Sequence, residues 1–166
     1  MSTISSRPMT NYWGYGIIKD MYSQNENDLI AIGERIGKAC KPNQVLVLSG
    51  DLGAGKTTLT KGLAKGLKIE QMIKSPTYTI VREYEGAMPL YHLDVYRIGD
   101  DPDSIDLDDF LYGGGLTVIE WGELLDVSLF DDYLLIRIEK EGDGRRLTVE
   151  SHGAQSSDLA KEFQNV

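Results

Sequence analysis

Residues 45–67 read VLVLSGDLGAGKTTLTKGLAKGL, an apolar run, a glycine-rich turn, a lysine with two threonines, and a helix-like segment. Glycine loses more backbone freedom on ordering than any other residue, so a fixed loop this rich in glycine needs a compensating interaction. Gly50, Gly55, Lys56 and Thr57 fit G-x-x-x-x-G-K-[ST], the P-loop pattern. In that pattern the glycines let backbone N–H groups turn inward as an anion nest. Lys56 reaches the β- and γ-phosphates, the Thr57 hydroxyl ligates Mg²⁺, and the following helix aims its positive end at the same anion. The flanks agree with this reading. Val45, Leu46, Val47 and Leu48 predict a buried strand, and Thr58 to Leu67 a helix. Strand, loop and helix in that order predict a nucleotide site rather than a chance glycine turn.

Upstream, residues 1–13 read as a tail and YGIIKDMY as a first strand. Ser23 and Glu26 have capping-box spacing. Leu29, Ile32, Gly33, Ile36 and Cys40 then recur at helical spacing, which predicts a helix over about 25–40. Downstream, Thr77 to Tyr84 and Leu90 to Tyr96 predict two strands joined by the turn EGAMP. An acidic stretch follows, with a short helix expected near Ser104 to Leu111. LTVIEW predicts another buried strand, and DDYLLIRIEKEGDGRRLTVESHG a closing hairpin about Gly142-Asp143-Gly144. The segment from about 154 to 166 reads as a terminal helix or a frayed end. No repeat or linker divides the chain, so residues 1–166 are expected to form one α/β domain, a P-loop NTPase-like three-layer fold with a central mixed, partly parallel β-sheet.

Composition narrows the function classes. A formal charge of −9 argues against a protein that grips nucleic acid by itself, because phosphate contacts need clustered Lys and Arg. No apolar run approaches the roughly 20 residues of a membrane helix. The N-terminus lacks the apolar core of a secretory signal. Cys40 is the only cysteine, so no internal disulfide is expected, in keeping with a cytoplasmic location, and its spacing marks a core thiol rather than a nucleophile. Asp101, Asp103, Asp106 and Asp108 superficially suggest a calcium loop. However, Ile105 and Asp106 stand where a ligand and the glycine belong, and a solvated acidic surface is the better reading.

A P-loop holds phosphate, whereas hydrolysis also needs a carboxylate near Mg²⁺ and a group to orient the nucleophile. Glu120 ends the LTVIEW strand where a Walker-B acid would stand, at the carboxyl end of a parallel strand; a solvated strand-end glutamate is the alternative. His92, Asp94 and Tyr96 alternate along YHLDVYR and share one face of a strand, either a functional face or a solvent-facing hairpin face.

GDLGAGKTT, KSPTYT, YHLDVYR and VIEW, in this order and spacing, resemble the TsaE (YjeE) family over roughly residues 25–150. Those are small bacterial P-loop ATPases required for N6-threonylcarbamoyladenosine at position 37 of tRNAs that read ANN codons. The chain departs from the family in its N-terminal extension and in WGELL, where a proline usually follows the tryptophan. The resemblance implies that Gly50, Asp51, Leu52, Gly53, Ala54, Gly55, Lys56, Thr57 and Thr58 cradle the phosphates of ATP or ADP. It implies that Thr57 and Glu120 ligate Mg²⁺ and that Lys56, Asp94 and Glu120 serve hydrolysis. Ser75, Pro76 and Thr77 would form a switch-like loop facing the γ-phosphate, with Trp121 beside the site. Arg145 would be the late nucleotide-contacting arginine, with Arg146 the alternative one position on.

The family does not make the modification itself. It is similar to an accessory, weak Mg²⁺-dependent ATPase that docks on the TsaD–TsaB pair, which transfers the threonylcarbamoyl group, so tRNA would be met through these partners. The rival class is a P-loop small-molecule or nucleoside kinase, against which stands the lack of an arginine-rich lid segment. A non-catalytic nucleotide-gated module is a third class, disfavoured by intact Lys56, Thr57 and Glu120.

Overall fold

The computed structural model describes residues 3–8, 17–51, 53–74, 81–94, 107–120 and 130–162. Its elements in chain order are β1 (Thr3–Pro8), β2 (Ile17–Ser23), α1 (Glu26–Ala39), β3 (Val45–Ser49), α2 (Lys56–Gly66), β4 (Val81–Tyr84), β5 (Leu90–Asp94), α3 (Asp108–Leu111), β6 (Leu116–Glu120), β7 (Tyr133–Glu141), β8 (Gly144–His152) and α4 (Ala154–Ala160). The strands form one mixed sheet in the order β1-β2-β8-β7-β3-β6-β5-β4. Its centre is parallel, with β3 between β6 and β7 and β5 on the far side of β6. Antiparallel pairs flank that centre: β4 with β5 on one side, and β7–β8, β8–β2 and β2–β1 on the other. The α/β architecture expected from the sequence is thus the one observed.

Strands β3, β5 and β6 are buried on both faces, which is why β3 reads as an apolar run rather than an alternating one and why the polar residues of β5 and β6 are buried with it. On one face Leu46, Leu48, Leu90, Val118, Ile136 and Val149 meet Ile32 and Ile36 of α1 and Leu59 and Leu63 of α2. On the other, Val47, Tyr91, Leu93, Ile119, Phe130 and Tyr133 pack together, with Phe110 and Leu111 of α3 against them.

Two expected local details differ. Ser23 and Glu26 do not form the capping box. Ser23 still belongs to β2, paired with Arg145, so its backbone cannot cap a helix. Asn25 does so instead: its Oδ1 accepts the Asp28 N–H at 2.9 Å, and Asp28 Oδ2 accepts the Gln24 N–H at 3.0 Å. Residues 3–8, read from the sequence as part of a tail, form strand β1 in antiparallel register with β2. The β4–β5 hairpin and its turn fall where expected, although residues 77–80, 95 and 96 lie outside the described residues. The last hairpin turns at Gly142-Asp143, with Gly142 at φ 60°, the positive φ that a tight hairpin turn needs at its first central position. Helix α4 covers the β7–β8 side, and the buried Lys19 ammonium donates to the Ala160 carbonyl at its last turn.

Helices α1 and α2 touch backbone to backbone. A Cβ on Gly33 would stand 2.4 Å from the Leu59 carbonyl oxygen, and one on Gly62 would stand 2.2 Å from that of Ile30. Gly37 and Gly66 repeat the contact one turn later, at 2.4 Å from Leu63 O and 2.3 Å from Glu34 O. In an open helix Gly→Ala is stabilising by about 1 kcal/mol. Here the sign should reverse: Gly62→Ala is expected to destabilise by about 1–3 kcal/mol, read as a lower urea midpoint at an unchanged slope.

Candidate nucleotide site

The loop from β3 to α2 turns on glycines at positive φ: Gly50 at 156°, Gly53 at 78° and Gly55 at 121°. Space as well as angle demands glycine at two of them. A Cβ on Gly50 would stand 2.6 Å from the Ile138 carbonyl oxygen, and one on Gly55 would stand 2.7 Å from Leu29 Cδ2. Gly55 is the N-cap of α2 and supplies no side-chain acceptor, so the first-turn N–H groups are left for an anion. Lys56 is buried and donates to the Gly50 carbonyl and, at 3.2 Å, to that of Asp51. Its ammonium therefore lies over the loop in which phosphate would sit. Thr57 and Thr58 are half-buried behind it. Asp51, Gly53 and Ala54 complete the described part of the loop; Leu52 lies outside the described residues.

Asp94 and Glu120 end adjacent parallel strands in direct register, and Glu120 is also in register with Leu48 of β3. Register partners point to the same face, and Leu48 packs against α2, so both carboxylates lie on the α2 side at the carboxyl ends of the strands. They are 5% and 4% exposed, which rules out the solvent-facing readings of both. His92 shares this face, fully buried, its Nε2 3.2 Å from Glu120 Oε1. That contact is short, but Glu120 Oε1 and both ring nitrogens still lack a hydrogen bond of acceptable geometry. A buried carboxylate oxygen without a donor, next to a second buried carboxylate, is an environment that a hard cation would satisfy. The donor set of Thr57 hydroxyl and Glu120 carboxylate therefore fits Mg²⁺. Among the described residues no group of three or more His, Cys, Asp and Glu forms a cation cage; of the four aspartates weighed as a calcium loop only Asp108 is described, in α3.

Beside the loop opens a cavity of about 290 Å³ walled by Ser23, Asn25, Leu29, Thr58, Gly144 and Arg145 among others. Arg145 Nε donates to the Ala54 carbonyl at 2.7 Å, and Nη1 to Gly144 O at 2.9 Å. Arg146 turns the other way: it grips Glu141 Oε2 at 2.8 and 2.9 Å and lies 5.3 Å from the Tyr22 ring centroid. The structure thus brings Arg145, and not its neighbour, to the P-loop. Sequence reasoning missed the wall from β2 and the start of α1. Asn25 carried a cap signal, but only the β2–β8 pairing sets Ser23 opposite Arg145. Ser75, Pro76, Thr77, Tyr96 and Trp121 lie outside the described residues. Cys40 packs partly buried against the core, and burial pushes its thiol up to about 12, so it is no nucleophile near neutral pH.

A family model described as "Threonylcarbamoyl adenosine biosynthesis protein TsaE" matches residues 23–148. A protein of Bacillus subtilis called tRNA threonylcarbamoyladenosine biosynthesis protein TsaE is 45% identical over 123 residues, covering 74% of this chain and 78% of its own length. A protein of the same name from Treponema pallidum is 40% identical over 126 residues, covering 75% of this chain and 93% of its own. Among solved structures, Bacillus subtilis YdiB superposes with a TM-score of 0.76 at 34% identity, over 99% of this chain and 97% of that one.

The opposite orientations of the two arginines generate a paired test. Arg145→Ala is expected to weaken binding of a fluorescent ATP analogue by about 10-fold or more, the scale of a charge-assisted hydrogen bond. Arg146→Ala should leave that affinity within about twofold, as for an exposed ion pair.

Proposed function

Since the chain belongs to the TsaE family, we propose that it binds Mg²⁺-ATP in the P-loop and hydrolyses it as an accessory ATPase of tRNA N6-threonylcarbamoyladenosine synthesis. It acts, on this reading, in the cytoplasm with a TsaD–TsaB pair that performs the transfer and holds the tRNA. The observation that carries the reading is that Lys56 lies over the loop that follows β3 while the buried carboxylates Asp94 and Glu120 end the neighbouring parallel strands in register on the α2 side of the sheet.

Each residue then has a task. The loop backbone from Gly50 to Gly55 and the first turn of α2 receive the phosphate oxygens. Lys56 exchanges its loop carbonyls for the β- and γ-phosphates, a short movement for a flexible ammonium. Arg145, held to the Ala54 carbonyl, braces the loop and borders the cavity that accepts the nucleoside end. Thr57 and Glu120 hold the cation. Bound Mg²⁺ supplies charge neutralisation on the phosphate oxygens. Asp94, beside Glu120, orients the attacking water and receives its proton, a role suited to a carboxylate held near the γ-phosphate. The negative charge of the chain fits a protein that meets tRNA through partners. Among the described residues no helix is long and apolar enough to cross a membrane.

Lys56→Ala should abolish productive ATP binding in a fluorescence titration, because it removes the mobile cation over the phosphates. Asp94→Ala and Glu120→Ala should separate binding from chemistry, lowering the turnover number about 100-fold or more while altering nucleotide affinity far less. Parental rates in both variants, with partners present, would refute the catalytic assignment. The pathway assignment is tested by reconstitution. With TsaD, TsaB, the threonylcarbamoyl-adenylate synthase, threonine, bicarbonate, ATP and substrate tRNA, added protein should raise the modified nucleoside beyond one turnover, measured by mass spectrometry of digested tRNA. Equal yield without it would sink the accessory role, and phosphorylation of a nucleoside in a substrate screen would favour a kinase.

A further inference from the structure

His92 is a fully buried polar side chain to which the chemistry above gives no task. Its Nε2 lies 3.2 Å from Glu120 Oε1, a close approach without good hydrogen-bond geometry, and Nδ1 has no hydrogen-bond partner either. In the β5–β6 register His92 stands opposite Val118, so the imidazole reaches diagonally along the sheet to Glu120, two residues further on. Asp94 stands directly opposite Glu120, and like charges in register push apart. The carboxylate of Glu120 thus has a repelling neighbour across the strand gap and an imidazole edge deeper in the sheet. Carboxylates that ligate metal are commonly oriented by such a neighbour.

We infer that His92 is a positioning residue for Glu120: its Nε2 edge holds the carboxylate at the end of β6 and sets how much Mg²⁺ the site needs, not how tightly the nucleotide alone is held. The inference rests on the reading of Glu120 as a cation ligand. It assigns the Nε2 side of the ring, and not the Nδ1 side, to the task.

Amide side chains discriminate the two sides, since Gln places its nitrogen near the Nε2 position and Asn near Nδ1. A fluorescent ATP analogue is titrated in EDTA and over a series of Mg²⁺ concentrations, and ATP hydrolysis is followed over the same series. H92N, and H92L as a second loss variant should H92N fold poorly, are expected to raise the half-saturating Mg²⁺ concentration about 10-fold in binding and in hydrolysis. Affinity in EDTA should stay at the parental value. H92Q should restore the Mg²⁺ requirement to near the parental one. An unchanged requirement in H92N and H92L overturns the inference. So does an equal defect in H92Q and H92N, or a parallel loss of affinity in EDTA, either of which marks a packing role. E120Q separates the premise from the inference. If it leaves the Mg²⁺ requirement unchanged, the cation role of Glu120 falls and the inference with it. If it raises the requirement and the His92 variants do not, only the inference falls.

Discussion

The backbone contact between α1 and α2 constrains everything at the phosphate end of the molecule. Four glycines let the helices approach until the Gly33 and Gly62 backbones meet, which fixes α2 against its neighbour along two turns. The strand β3 is fixed as firmly, between two parallel partners. A loop of a few residues joins these two rigid bodies, and its shape follows from them. It must turn sharply, at positive φ, under the Ile138 carbonyl and past Leu29, neither of which leaves room for a side chain. The anion nest is therefore a product of packing far from any phosphate, which is how a loop so rich in glycine can be held in one form.

Charge within the site is concentrated and shielded. Lys56, Asp94 and Glu120 are each 6% exposed or less. In such surroundings ionic interactions are stronger than in water, and a group without a partner is costly. Lys56 meets this cost with loop carbonyls, whereas Glu120 Oε1 comes within 3.2 Å of His92 Nε2 without a hydrogen bond of good geometry. The carbonyl partners of Lys56 are provisional in a chemical sense. Carbonyl oxygens are weaker acceptors for an ammonium than phosphate, and a buried carboxylate oxygen without a donor is one that a divalent cation would satisfy. The strength of the proposed Mg²⁺-ATP site comes from exchanging weaker partners for stronger ones within a frame already built.

Features set by neighbouring residues were legible in the sequence. The apolar run of β3, the glycine loop, the periodicity of α1 and the turns at 85–89 and 142–143 each carry a local signal, and each lies where that signal pointed. Features set by pairing were not. TISSRP has neither alternation nor β-branched density, and it is a strand because β2 offers an edge. Ser23 loses the cap to Asn25 because β8 keeps it in the sheet. In the site, the P-loop residues, Asp94 and Glu120 could be picked out as residue types at set spacings. The choice between Arg145 and Arg146 needed the strand's orientation, and the approach of His92 to Glu120 needed the β5–β6 register. The glycines of the helix contact were visible, but nothing in a single sequence says that Gly33 will face Gly62.

The cavity beside the P-loop joins distant parts of the chain. Ser23 and Asn25 come from its beginning, and Gly144 and Arg145 from close to its end. Strand β3, too, receives its neighbour β7 only after some ninety intervening residues. A chain made from its N-terminus forward therefore carries the whole glycine loop long before it owns the arginine that braces it. The loop emerges from the ribosome without that brace, and the last hairpin supplies both the β7 neighbour of β3 and Arg145. In a growing chain the brace on the loop thus arrives only as the fold is completed, and a product cut short before β7 would carry the P-loop sequence without Arg145 on the Ala54 carbonyl or β7 beside β3.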